Sequence, residues 1–471
     1  MPVDSPGSAA SDPLTGFSAP AREWFGAAFD APTAAQAGAW ASIRQDQHTL
    51  VVAPTGSGKT LAAFLWALDG LLAGAGPDAQ PGTVDASQRC RVLYVSPLKA
   101  LASDVQRNLS SPLIGIHAAG QRLGLELAPV QIGIRSGDTP AAERARFARH
   151  PPDILITTPE SLFLLLTSRA GQALAHVRTV IVDEVHAVAG TKRGAHLALS
   201  LERLDALTDR PVQRVGLSAT VRPIETVAQF LTGTRTPAEG GRAVQIVAPP
   251  AAKTFDLSVQ VPVPDMTELG APTGDLSGNA AGEVARHSIW PAVEERVVDL
   301  IAPSGPHRSS LVFTNSRRLA ERLTARLNEI WEQRWMAADA LAGSAGQAPV
   351  GQAPSGQAPV GRPPAQMMAA AGQTAGAPPI LAKAHHGSVS MQQRALIEDD
   401  LKSGRLPAVV ATSSLELGID MGAIDLVVQV EAPPSVSSGL QRVGRAGHQV
   451  GAVSRGVILP KFRGDLVTSA V

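Results

Sequence analysis

The stretch "VVAPTGSGKT", Val51 to Thr60, has residue types in the order that cradles a phosphate chain. It meets the pattern G-x-x-x-x-G-K-[ST] except at the first position, which is Ala53. Gly56 and Gly58 let backbone N–H groups turn inward toward phosphate oxygens, with Thr55 and Ser57 between and before them. Lys59 brings a positive charge to the same oxygens, and Thr60 offers a hydroxyl to Mg²⁺. The first position only opens the loop, so alanine costs little there if its φ is negative. A plain glycine-rich turn is the weaker reading of "TGSGKT" between a strand and a helix.

Three more groups can take part in the same chemistry. In "TVIVDEVH" (179–186) an apolar strand ends in two acids. Asp183 is suited to hold Mg²⁺ and Glu184 to orient and deprotonate an attacking water. A "DE" after a strand is by itself a solvated strand end; about 120 residues after a phosphate loop in the same α/β unit it gains weight. "LSAT" (217–220) ends the following strand with Ser218 and Thr220, which alone read as a capped turn. "QRVGRAGH" (441–448) presents Arg442 and Arg445 on one helix face. An arginine delivered to a γ-phosphate is worth about 10³–10⁵ in rate. An isolated pair is ordinarily a basic surface helix, but the glycines within "RVGRAG" argue against one.

The elements that must position these residues are short β-branched runs separated by helical stretches. "TLVVA" (49–53), "RVLYVS" (91–96), "DILITT" (153–158), "TVIVDE" (179–184) and "RVGLSAT" (214–220) form one set. "SSLVFTNS" (309–316), "AVVATSS" (408–414), "DLVVQV" (425–430) and "RGVIL" (455–459) form another. Alternating strands and helices imply α/β layers with a mostly parallel sheet and helices on both faces. Two such domains in tandem are expected, at 17–238 and 244–471, after a loose tail at 1–16. The Pro/Gly-rich piece "TRTPAEGGRA" (234–243) reads as the linker. Segments 73–88 and 265–283 read as loops outside the core, and 341–379 as a disordered insert in which GQAP recurs every five residues.

Composition bounds the rest. The 471 residues are 44% hydrophobic and only 4% aromatic, so the cores must be aliphatic. Formal net charge is zero, so a polyanionic partner would need a local patch or backbone amides. A single cysteine, Cys90, excludes an intrachain disulfide and a cysteine-based zinc site, in keeping with a reducing cytoplasm. No apolar run reaches the ~18 residues of a membrane span. His150, His176 and His307 show no ligand spacing, and Trp24, Trp40 and Trp66 read as core residues.

The motifs also follow one another in a known order: "APTGSGKT", "SPLKAL", "RSGDT", "TTPESL", "DEVH", "SAT", "LVFTNSR", "HHGS", "ATSSLELGIDMG" and "QRVGRAGH". This series resembles the superfamily 2 helicases of DEAD/DEAH type. "SPLKALASD", "HHGSVS", the His-terminated "QRVGRAGH" and "KFRGDLVTSAV" look most like their Lhr (large helicase-related) group. The resemblance runs from about Phe17 to Val471, apart from the inserts. It implies two RecA-like domains that use ATP and Mg²⁺ at an interdomain cleft. Thr55, Gly56, Ser57, Gly58, Lys59 and Thr60 would bind ATP, with Gln36 on the adenine. Gly418 and Asp420 would reach the nucleotide from the second domain. Lys59, Asp183, Glu184 and Arg445 would serve hydrolysis, Thr60 and Asp183 would hold Mg²⁺, and Arg442 would couple the site to the domain interface. Ser218 and Thr220 would link hydrolysis to the bound strand. Nucleic acid would be met by Pro97, Lys99, Gly137, Thr158, Pro159, Thr314, Asn315, His386, Ser388 and Thr412. Rich in small hydroxyl residues, Gly and Pro, this set suits a groove that tracks a backbone.

The implied activity is an ATP-dependent helicase or translocase, a cytoplasmic and monomeric motor on single-stranded or partly duplex nucleic acid. By family analogy it moves 3′ to 5′ on DNA in repair; RNA or an RNA–DNA hybrid is the alternative substrate. A second expectation is an ATPase stimulated by nucleic acid that does not unwind, because the chain stops shortly after its last motif where relatives continue. A third, a non-catalytic clamp, is disfavoured by the intact Glu184 and Arg445. His448 stands where many superfamily members carry a second arginine finger.

Overall fold

The structure is a computed structural model. It describes residues 12–54, 56–73, 89–97, 99–235, 237–250, 254–266, 288–303, 307–345, 380–416, 422–447 and 452–470. The chain forms two compact units, one reaching Thr254 and the other beginning at Phe255.

The first unit carries seven strands: β1 His48–Val52, β2 Val92–Val95, β3 Ile132–Arg135, β4 Ile154–Thr157, β5 Thr179–Val182, β6 Gln213–Ser218 and β7 Val244–Val247. They pair in the order β3-β4-β2-β5-β6-β1-β7, all parallel. Strand alternation splits the apolar runs between the two faces. Leu50, Val52, Leu93, Val95, Val180 and Val182 turn toward helices Pro159–Leu166, Lys192–Leu207 and Ile224–Thr232. Val51, Ala53, Tyr94, Ile156, Ile181 and Leu217 turn toward helices Ala34–Ile43, Lys59–Leu72 and Lys99–Arg122. Trp40 is fully buried and meets the rings of Phe17 and Phe25 edge-on at 5.1 and 5.5 Å. It is a core residue, as its position in the sequence suggested.

The second unit carries β8 Phe255–Val259, β9 Ser310–Phe313, β10 Ala382–His385, β11 Ala408–Ala411, β12 Leu426–Val430 and β13 Ser454–Leu459. Their order is β10-β11-β9-β12-β13-β8, again all parallel. Val293, Val297 and Ile301 of helix Trp290–Ile301 pack with Leu323 and Leu327 of helix Arg317–Ala345 over one face. Phe313, Val409 and Val427 are buried as well.

Two expectations about organisation change. The second unit does not begin at 244, because Val244–Val247 pairs with β1 and closes the first sheet. The supposed linker at 234–243 therefore lies inside the first unit. Gly233, which ends the preceding helix, and Gly240 within the segment mark tight turns at positive φ. The insert expected from 341 starts later, since the long helix runs on to Ala345; 346–379 lie outside the described residues, as do 74–88 and 267–287.

Candidate nucleotide and nucleic-acid site

Apart from Gln36, which lies on the helix before β1, the motif residues of the first unit sit at or just beyond carboxyl ends of strands, and sheet order sorts them into two groups. The phosphate loop follows β1, and the acid pair follows β5. Between these two strands lies β6, which ends in Ser218. On the other half of the sheet Gly137, Thr158 and Pro97 follow β3, β4 and β2, which are consecutive. The second sheet repeats this division. His386 and Ser388 follow β10, Thr412 follows β11, and Thr314 and Asn315 follow β9, again consecutive.

The phosphate loop has the backbone that its glycines permit. Gly56 and Gly58 both lie in the left-handed region, at φ 82° and 76°. A side chain at Gly58 would also meet Nε2 of Gln36 at 2.5 Å. Gln36 and Thr33 form the capping box of helix Ala34–Ile43. Thr33 donates its hydroxyl to the Ser57 carbonyl at 3.0 Å, and Gln36 Nε2 approaches the Gly58 carbonyl at 3.5 Å. This helix start is thereby fastened to the loop, which places Gln36 beside the phosphate cradle. Lys59 Nζ donates to the carbonyls of Ala53 and Pro54 at 2.5 and 2.8 Å.

Two carboxylates sit together after β5. Asp183 accepts the Tyr94 hydroxyl on one oxygen and the Glu184 amide, at 2.9 Å, on the other. Burial pushes the Asp183 carboxyl up to about 7, and the Glu184 charge adds to the rise; Tyr94, the Glu184 amide and Lys59 pull it partly back. The Tyr94 hydroxyl is itself pushed well above its usual range by burial and by Asp183. Glu184 is buried and stands at φ 47°, a left-handed conformation uncommon outside glycine.

His186 was given no role in the sequence, and the structure gives it one. Its Nδ1 accepts the Ala219 amide at 3.2 Å and lies 3.2 Å from Ser218 Oγ. Its Nε2 faces Glu184 Oε2 at 3.5 Å. One imidazole thus joins the end of β6 to the acid pair. The pattern "DEVH" held the clue, because its fourth residue sits in the short helical turn Val185–Val188 that directly follows the acid pair. Tyr94, far away in sequence, left no such clue.

In the second unit Arg442 is buried and points inward. It donates to Glu416 at 3.0 and 2.9 Å, to Asn315 Oδ1 at 3.0 Å and to Gln429 at 2.9 Å, and lies over the Phe313 ring. Arg445 is equally buried and donates to the Glu416 carbonyl at 3.0 Å. Asn315 also donates to the Ala432 carbonyl at 2.8 Å, which ties the ends of β9 and β12 together.

Several residues expected to meet nucleic acid turn their side chains into the protein. Thr158 caps helix Pro159–Leu166, whose first residue, Pro159, is buried as well. Thr314 donates to the Ser316 carbonyl at 3.2 Å. His386 pairs with Glu321 at 2.6 Å, and Ser388 accepts from Arg317 at 2.9 Å. Pro97 and Thr412 are buried. Gly137 is exposed, with its carbonyl held by Arg144 at 2.7 Å. These side chains shape the loops at the sheet edge. Thr55, Gly418, Asp420, His448 and the side chain of Lys99 lie outside the described residues.

Comparison with known proteins agrees with this geometry. The DEAD/DEAH box helicase family matches residues 33–229, and the helicase conserved C-terminal domain matches 367–449. The chain is 61% identical over 461 residues to the Lhr helicase/probable uracil glycosylase of Mycolicibacterium smegmatis, covering 98% of this chain and 28% of that protein. The chain belongs to the Lhr group of superfamily 2 helicases. The ATP-dependent helicase Lhr-Core of Methanothermobacter thermautotrophicus is 39% identical, over 94% of this chain and 44% of its own length. A solved structure of Mycobacterium smegmatis helicase Lhr bound to ssDNA and AMP-PNP matches with a TM-score of 0.76 at 58% identity, covering 98% of this chain and 50% of that one. The chain thus spans between about a quarter and a half of the Lhr proteins it matches.

Proposed function

We propose that this chain is the motor of an Lhr-type helicase, which hydrolyses ATP to move along single-stranded nucleic acid. The observation that carries this reading is the trio on β1, β5 and β6: a left-handed glycine loop with Lys59, the Asp183–Glu184 pair, and His186 joining that pair to Ser218.

The residues present fit Mg²⁺ and ATP. Two neighbouring buried carboxyls, one pushed up in pKa, are relieved by a divalent cation. Among the described residues no group of three or more His, Cys, Asp or Glu could hold a metal. Mg²⁺ is commonly shared between one or two protein oxygens, phosphates and water. Thr60 and Asp183 would hold it, and it would neutralise developing phosphate charge. Gln36 would read adenine, and the loop amides of Gly56 and Gly58 would hold phosphate oxygens with Lys59. Glu184 takes the proton of the attacking water. Arg445 would supply charge to the phosphate, and Arg442 organises the element that carries it.

DNA is favoured as the strand, since the Lhr relative above was solved with ssDNA. The inward-turned threonines and histidine support a groove whose loop backbone grips phosphates, with those side chains as organisers. Movement 3′ to 5′, a repair role, a monomeric state and a place in the cytoplasm belong to the same proposal. Among the described residues no helix is long and apolar enough to cross a membrane. The deciding experiment measures ATP turnover with single-stranded DNA, single-stranded RNA and neither. Turnover stimulated by DNA and abolished in Lys59→Ala is expected; turnover that survives Lys59→Ala defeats the assignment.

A further inference from the structure

At the amino ends of β2, β5 and β6, opposite the motif-bearing ends, three arginines converge. Arg91 immediately precedes β2, Arg178 immediately precedes β5, and Arg210 lies in the turn before β6. The backbone fixes their spacing. The amides of Arg178 and Thr179 donate to the Arg91 carbonyl at 2.8 and 3.2 Å, and the Gln213 amide donates to the Arg178 carbonyl at 2.8 Å. The three side chains, with His176 and Asp209, line a cavity of about 60 Å³.

In the lining three arginines face one carboxylate, Asp209, while Asp153 and Asp46 lie within electrostatic reach of Arg91 and Arg178. Among the described residues none of these three guanidinium groups has a hydrogen bond or ion pair. Arg178, though exposed at its surface, is held below the usual arginine range, by partial burial first and then by Arg210 and Arg91, with Asp46 acting the other way. The neighbouring arginines are used differently. Arg214 and Arg242 are each tied to both Glu202 and Asp205 at 3.0 Å or less. One unpaired arginine near a helix end is ordinary dipole complementation. Three around a single cavity go beyond that.

We propose that this cavity is a second phosphate-oxyanion site, separate from the phosphate loop. The space holds roughly four or five waters, enough for one tetrahedral oxyanion and too little for a nucleoside. Guanidinium forks bind such oxyanions in bidentate fashion. The anion is either free phosphate or one phosphate of a polynucleotide backbone. This inference does not depend on ATP hydrolysis.

The test uses the Lys59→Ala chain, which removes phosphate binding at the loop, with and without Arg178→Gln or Arg210→Gln. Both arginines are exposed, so unfolding in potassium chloride checks that each variant folds. At matched ionic strength, potassium phosphate should raise Tm above the chloride value, and either glutamine should remove that rise. In parallel, anisotropy with a short single-stranded oligonucleotide reads the salt dependence of Kd. Loss of one backbone phosphate contact lowers that slope by about 0.7. Loss of the Tm rise with an unchanged slope assigns the site to free phosphate. A lower slope assigns it to the nucleic-acid backbone. If neither the Tm rise nor the slope differs between parent and glutamine variants, the proposal is overturned.

Discussion

The backbone amide of Ala219 donates to Nδ1 of His186 at 3.2 Å. An acceptor at Nδ1 leaves the proton of the neutral ring on Nε2, which faces Glu184 Oε2 at 3.5 Å. His186 therefore orients the proposed general base and reports the position of the β6 end to it. Replacing it with alanine should lower kcat for ATP by roughly 10–100-fold, as loss of a supporting partner does elsewhere. KM for ATP should move less, since no phosphate contact is removed. His186→Gln keeps an acceptor for the Ala219 amide and should recover part of the rate. Steady-state kinetics of both variants check this; unchanged kcat in His186→Ala would remove the coupling role.

Asp183 gives a stability effect with a defined sign. Its folded value is raised from 3.8 to about 7 by burial and Glu184. Between those values the folded chain binds more protons than the unfolded one, so stability falls as pH rises through that window. In chelator-treated, nucleotide-free protein, Tm should decline from about pH 5 to pH 8, and Asp183→Asn should flatten the decline. The same variant should be more stable than the parent at pH 8 and inactive as an ATPase. A Tm profile identical in parent and variant would refute the argument.

What the sequence reveals of the fold follows burial. The strands readable as apolar runs, such as "TVIVD" and "AVVAT", are central and covered on both faces. The four that escaped, "IGIR", "VQIV", "FDLSV" and "AKAH", are the two edges of each sheet. An edge strand is only half covered, so its run is diluted with Gly, Gln, Asp or Lys. Missing the edge at Val244–Val247 is what displaced the domain boundary. The site was legible where chemistry demands a residue type at a strand end, as at Lys59, Asp183 and Glu184. It was not legible where the partner comes from another strand. Tyr94 under Asp183 and Glu416 under Arg442 are distant in sequence, and only parallel registration brings them together.

Arg442 predicts a stability defect. Its guanidinium satisfies Glu416, Asn315 and Gln429 in a buried cluster. Arg442→Ala leaves the Glu416 carboxylate without its partner, which costs about 3–5 kcal/mol. Arg442→Lys should rescue little, because one ammonium cannot span three acceptors in a fixed fork. Denaturant unfolding should show an early transition for the second unit in both variants. A shift within about 0.5 kcal/mol, the range of ordinary surface changes, would contradict the hub role.

Cys90 offers a native probe of the first sheet, without introduced residues. It is fully buried one residue before Arg91, and burial pushes its thiol up to about 12, with Asp153 adding to the rise. At pH 8 only about one thiol in ten thousand would be ionised even if a reagent could reach it. Reaction with a thiol-specific reagent must then wait for β2 to separate from its neighbours. Labelling should be slow in native buffer, accelerate with denaturant, and slow further when a nucleotide analogue stabilises the unit. The rate measured against a free cysteine peptide decides the matter. Native labelling at the peptide's rate would mean that the start of β2 is open in solution, contrary to its packing between β4 and β5.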